Sequence, residues 1–155
     1  MFPHSDLRPD LVIEGLNGPG KRTAIDISVT QPACDTYVSG AAQSARYAAT
    51  EREKHKKAKY VELCERVGMD FVPFVFEVQG AIGKEGAEFI HNVIRHQVRN
   101  IGDAPDNALK MHKKWFIQRL QVQLQHGNAR MIKYSGALEL VDVDLPELPP
   151  DLIGQ

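Results

Sequence analysis

Three consecutive stretches decide the reading of this chain: Arg8-Pro9-Asp10-Leu11-Val12-Ile13-Glu14, Leu16-Asn17-Gly18-Pro19-Gly20-Lys21 and Ala24-Ile25-Asp26-Ile27-Ser28-Val29-Thr30. The first and last alternate as strands do, and the middle one is rich in residues that tolerate tight-turn backbone angles. A β-hairpin with arms at 10–16 and 22–30 follows. Period-2 alternation puts Leu11, Ile13, Ile25, Ile27 and Val29 on a core face, with Asp10, Val12, Glu14, Asp26, Ser28 and Thr30 on the other. Symmetry about Gly18-Pro19 pairs residues whose numbers sum to about 37, so Asp10 falls opposite residue 27 or its neighbours. Asp10 and Asp26 then share a strand face at roughly 5 Å between Cβ atoms. Two bare carboxylates at that range repel. A divalent cation such as Mg²⁺, held by one or two carboxylates plus water and phosphate, reverses the sign of the interaction. The alternative is that each acid pairs with Arg8, Lys21 or Arg22 at the surface.

Downstream of the hairpin, a loop precedes a long helix over about 41–67, and a third strand centres on Phe74-Val75-Phe76-Glu77. Helices are expected over 84–101 and 108–124, with His126-Gly127-Asn128-Ala129 as a stop before a last element at 129–141. The order is that of a mixed α/β domain over 1–141, followed by an acidic, Pro-rich tail at 142–155. At 155 residues with a net charge of −1, the chain has no global basic field. A polyanionic partner would have to be met by a local patch. No apolar run approaches a membrane span and no signal-peptide pattern opens the chain, so no membrane partner is expected. Cys34 and Cys64 are expected as free thiols, which fits a nuclear or cytoplasmic location. The turn at 16–21 lacks P-loop spacing, and His91 and His96 lack the spacing of a zinc pair.

The helix at 45–68 supplies the local patch. Ala45, Ala49, Tyr60, Leu63 and Val67 form a narrow apolar stripe at 100° per residue, and Lys56 sits within it. Arg52 and Lys59 flank the stripe, while Lys54 and Lys57 point away. An inward Lys56 either has a partner or snorkels past the core edge. Farther on, Lys113, Lys114 and Arg119 extend a basic surface, with Trp115 and Phe116 expected in the core. Glu77 is as readily structural as functional.

Together these residues resemble the PD-(D/E)XK restriction-like nucleases, and more closely the endonuclease domain at the C-terminal end of non-LTR retrotransposon polyproteins. The resemblance rests on Arg8-Pro9-Asp10, on Asp26 after fifteen intervening residues, and on the Lys56-Lys57-Ala58-Lys59-Tyr60 run in the following helix. It implies a restriction-endonuclease-like α/β fold: a mixed sheet of the hairpin plus a third strand, flanked by helices, with additional C-terminal helices. It also implies a Mg²⁺- or Mn²⁺-dependent endonuclease acting on DNA. Asp10 and Asp26 would hold the metal with the Ile27 carbonyl, Lys56 or Lys59 would serve the chemistry, and Arg8, Arg52, Lys54, Lys57 and Tyr60 would contact nucleic acid. Ser28 stands where the family usually has its lysine, and the retrotransposon branch moves that lysine to the helix. The family's helix and strand before the Pro-Asp strand have no counterpart in the nine residues ahead of Asp10. The chain is therefore expected as a piece of a larger retroelement polyprotein or a stand-alone relic, with an open hairpin edge that invites a homodimer and the third strand, through Phe74-Val75-Phe76, in a central position. A catalytically inactive nucleic-acid-binding module of the same fold is the alternative.

Overall fold

The computed structural model describes residues 8–100 and 107–135. Strands β1 (Leu11–Glu14) and β2 (Arg22–Thr30) are followed by the short helix α1 (Val38–Ala41) and by α2 (Tyr47–Arg66). Strand β3 (Met69–Glu77) and helices α3 (Lys84–Asn100) and α4 (Ala108–Tyr134) complete the order. The sheet runs β1-β2-β3 and is mixed, antiparallel between β1 and β2 and parallel between β2 and β3. A parallel pair needs a crossover, and α2 supplies it. The chain is thus α/β, with a three-stranded mixed sheet between helices.

Each face of the sheet has its own helices. Ala24 and Met69, with Phe71 beside them, pack under Cys64 and Tyr60 of α2. On the opposite face Ile25, Phe74, Phe76 and Ile82 close around Ile90 and Ile94 of α3, with Phe116, Ile117, Leu120 and Leu124 of α4 outside them. Burying each large aliphatic side chain there contributes about 1.5–3 kcal/mol.

Several sequence expectations change here. Ile27 and Val29 are 48% and 46% exposed, and Leu11 is equally open, although alternation puts all three on a core face. The α3 and α4 layer packs on Ile13, Ile25 and β3 but not on Leu11, Ile27 or Val29, so the alternation is real while the cover there is missing. Thr30, expected on the polar face, is buried because α2 lies over that face. Strand β3 is buried on both faces from Pro73 to Glu77, yet the middle strand is β2. Beyond β3 the chain turns back through Glu77–Ala81, and Ile82 makes an isolated antiparallel bridge to Phe76. On the other side β1 is an edge, as expected.

The hairpin turn is tied at both ends. Gly15 N donates to Lys21 O at 2.8 Å, and Gly18 (φ +126) and Gly20 (φ +73) take angles closed to most side chains. Asn17 reaches across to Asp70 Oδ2 at 2.8 Å, fixing the turn against the start of β3.

The long helix is not broken at His126-Gly127-Asn128-Ala129. Helix α4 runs through Gly127 to Tyr134. Gln121 donates to Gly80 O at 3.0 Å, and Gln125 and Asn128 donate to Val78 O at 2.9 and 3.0 Å. These three amides lie on one helical face and fasten α4 to the turn after β3, which outweighs the roughly 1 kcal/mol that an interior glycine costs. Phe116 packs in the core as expected, but Trp115 is 37% exposed. The tail at 142–155, and the part of the last expected element beyond 135, lie outside the described residues.

Gly83 shows how closely α2 and the start of α3 approach. A Cβ added there would press into the Glu53 carboxylate. Gly83→Ala is therefore expected to lower stability by about 1–3 kcal/mol. Urea unfolding checks this, and an unchanged midpoint would show that Glu53 swings aside at no cost.

Candidate active site

Register builds the site. Leu11 pairs with Ile25, so the pair sum is 36 and the next position along places Asp10 opposite Asp26. Asp10 lies just outside β1, and its Oδ2 accepts a hydrogen bond from Ile27 N at 2.7 Å. That bond continues the β1–β2 pairing through a side chain and pins the Asp10 carboxylate beside Asp26 and Ile27.

The third component comes from α2. Because α2 crosses the face that carries Asp26, the inward phase of Lys56 aims its ammonium at the sheet. Lys56 Nζ donates to Asp26 Oδ2, and the two side chains are only 11% and 19% exposed. Lys59 is turned elsewhere: its ammonium lies over the Tyr60 ring, 4.8 Å from the ring centre. Tyr60 itself is half-buried against Phe71 with ring centroids 5.6 Å apart, as part of the packing between α2 and the sheet. Arg8 and Arg52 are exposed. Lys54 pairs with Glu51 at 2.6 Å and Lys57 with Glu85 at 3.1 Å. Exposed pairs of this kind are worth about 0–1 kcal/mol, so either lysine can exchange its carboxylate for a phosphate.

Oδ1 of Asp10 and Oδ1 of Asp26 carry no hydrogen bond among the described residues, since only Oδ2 of each is engaged. Two carboxylate oxygens beside a strand carbonyl are the hard donors that Mg²⁺ or Mn²⁺ prefers. The residues fit such an ion. Among the described residues no group of three or more His, Cys, Asp or Glu side chains is placed to hold one. Ser28, two residues beyond Asp26 on the same strand face, has a buried hydroxyl with no hydrogen-bond partner among the described residues.

Two buried glutamates set the helices in place: Glu53, which sequence reasoning missed, and Glu77, for which it left a structural and a functional role open. Helix α2 has no side-chain cap from its own N-cap residue, Arg46, which is itself left-handed (φ 63). Glu77 at the end of β3 supplies the missing acceptor, taking Ala49 N at 3.2 Å. Glu53 of α2 does the same for α3, accepting from Glu85 N at 3.1 Å and Gly86 N at 3.3 Å. A carboxylate at a helix N-terminus satisfies orphan N–H groups and meets the positive end of the helix dipole. The signal for Glu53 was present in its helical phase, which turns it to the same side as Lys56. Cys34 and Cys64 are free thiols, and burial pushes the Cys64 thiol up.

Burial also pushes the Glu53 carboxyl up from 4.5, opposed by the N–H groups of Gly86 and Glu85. A carboxyl raised on folding contributes stability that is fully present below its unfolded pKa and is lost as pH climbs through the folded one. Glu53→Gln, which keeps an acceptor for α3, should therefore flatten the decline in stability as pH rises from about 4.5 towards neutrality. Urea midpoints of both proteins across that range provide the check, and parallel curves would place the titration elsewhere.

Comparison with protein-family models, curated proteins and solved structures finds no match for this chain. Among the described residues, no helix is long and apolar enough to cross a membrane.

Proposed function

We propose that this chain is a metal-dependent endodeoxyribonuclease of restriction-endonuclease-like fold, nicking DNA within a retroelement polyprotein. One observation carries the reading: Asp10 and Asp26 meet across the β1–β2 register while α2 delivers Lys56 to Asp26 from above. Nothing in the packing of an ordinary strand pair calls for two acids and a mostly buried lysine at one point.

Asp10, Asp26 and the Ile27 carbonyl are the residues that would hold Mg²⁺ or Mn²⁺, which when bound acidifies a water and shields phosphate charge. The chain's own groups do the rest. Asp10 is kept in place by Ile27 N, so its free oxygen has a fixed direction. Lys56 orients the carboxylate of Asp26 and sets a positive charge where negative charge develops on a scissile phosphate. Arg8, Arg52, Lys54 and Lys57 are exposed on the same polypeptide segments and are suited to backbone phosphates rather than to base edges.

Incubation of supercoiled plasmid with purified protein and Mg²⁺ or Mn²⁺ tests the reading. Conversion to open circles that stops with EDTA is the expected result, and failure under both metals would overturn it. A second reading has its own support, because Lys56 already neutralises Asp26 without any cation. On that view the chain binds nucleic acid and does not cut it. A protein without nicking activity but with a steep loss of DNA affinity as salt rises would establish this alternative.

A further inference from the structure

Helix α4 has a surface that the acid pair and the basic helix do not explain. Between 108 and 134 there is no Asp or Glu, while Lys110, Lys113, Lys114, Arg119, Arg130 and Lys133 all lie on the helix. Helix α2 differs, since its lysines are interleaved with Glu51, Glu53, Glu62 and Glu65. The outward side of α4 is also apolar. Met111, Trp115 and Val122 are exposed there at one helical phase. The Arg119 guanidinium lies over the Trp115 ring at 4.7 Å, and a groove of about 350 Å³ opens between Trp115, Phe116, Arg119, Leu120 and Gln123.

A surface that is apolar along its centre and positive at its rims needs an occupant that is apolar and negative. A second α4 fails on charge, because it brings the same lysines and arginines and no acid. The chain contains the complementary sequence. From 138 to 151, Leu138, Leu140, Val141, Val143, Leu145 and Leu148 are interleaved with Glu139, Asp142, Asp144, Glu147 and Asp151. No Lys or Arg occurs there, and all 19 of the chain's Lys and Arg fall among the described residues.

Reach permits the contact. From Ser135 back to Trp115 is twenty helical residues, about 30 Å at 1.5 Å each. Residues 136–151 span up to about 50 Å when extended. A tether this short holds the segment at millimolar effective concentration near α4. We propose that residues 138–151 dock in cis on the outward face of α4, with apolar side chains over Trp115 and the groove, and acids against its Lys and Arg rims. The segment then occupies cations that would otherwise meet a polyanion. This holds whether or not Asp10 and Asp26 cut DNA.

Trp115 is the only tryptophan of the chain and reports on its own cover. The experiment compares acrylamide quenching of the full chain with that of a full chain carrying Asp142→Asn, Asp144→Asn, Glu147→Gln and Asp151→Asn, at low salt. Release of a cover held at millimolar effective concentration should raise the quenching constant about twofold and shift emission to the red. High salt should bring the wild-type chain to the same value. Lys110→Glu with Lys114→Glu, made on α4 itself and leaving Arg119 over the Trp115 ring, should open Trp115 in the same way. Equal quenching of wild-type and neutralised chains overturns the proposal. So does a difference that grows with protein concentration, which would put the segment on a second copy. Shielding of Trp115 by a DNA oligonucleotide with no effect of the four substitutions would give the surface to nucleic acid instead.

Discussion

Asp26→Ala is expected to reduce metal-dependent nicking to background and to destabilise the fold by about 1.5–3 kcal/mol. The catalytic part follows from the loss of one of two carboxylates that fit a divalent ion. The stability part comes from Lys56, whose side chain is 11% exposed and whose ammonium donates to Asp26. Without its partner that charge is left poorly solvated and unpaired, the costly way to break an ion pair. The sequence alone points the other way: two facing acids repel, so removing either one should relieve the fold. The ion pair with Lys56 reverses that sign for Asp26. Asp10→Ala is milder, since Asp10 is exposed and forfeits one hydrogen bond to Ile27 N, worth about 0.5–1.5 kcal/mol, while nicking is lost equally. Plasmid nicking and urea unfolding of both variants are the measurements. Wild-type cleavage by either would remove it from the site. A more stable Asp26→Ala would mean that the pair with Lys56 contributes nothing.

Lys56→Ala should lower turnover by about 10²–10³-fold, with DNA affinity close to that of the parent. Lys54→Ala should do the reverse, weakening affinity and its salt dependence while turnover at saturating DNA is kept. The contrast rests on placement. Lys56 is mostly buried on Asp26, whereas Lys54 is exposed and tied only to Glu51. A double substitution of Asp26 and Lys56 that costs less stability than the sum of the two singles would confirm that they act as a pair. Equal effects of Lys54→Ala and Lys56→Ala on turnover and affinity would reduce α2 to a charged surface.

What could be read in advance was what short-range periodicity carries. The hairpin, its turn, the extent of β2, the presence of β3, the inward phase of Lys56 and the meeting of Asp10 with Asp26 all follow from residue spacing within one element or across one turn. The choice between Lys56 and Lys59 did not. Both lie near the apolar stripe, and only the angle at which α2 crosses β2 sends one to Asp26 and the other over Tyr60. The break expected at Gly127 failed for a related reason. Local propensity favours an end there, but Gln121, Gln125 and Asn128 find carbonyls in a turn 41 to 50 residues earlier, and that tertiary contact outweighs the glycine.

Alternation in sequence fixed which side chains share a face of the hairpin, because successive residues of a strand must point to opposite sides. Whether a face is covered was decided by the tertiary structure alone. Ile25, Ile27 and Val29 are equivalent in pattern, yet α3 closes over Ile25 and leaves the other two open. In the same way Glu53 and Glu77 are ordinary helix and strand acids until distant segments bring the N-termini of α3 and α2 to them. Chain geometry sets the direction of a side chain locally, whereas burial and charge partners depend on what long-range packing brings to meet it.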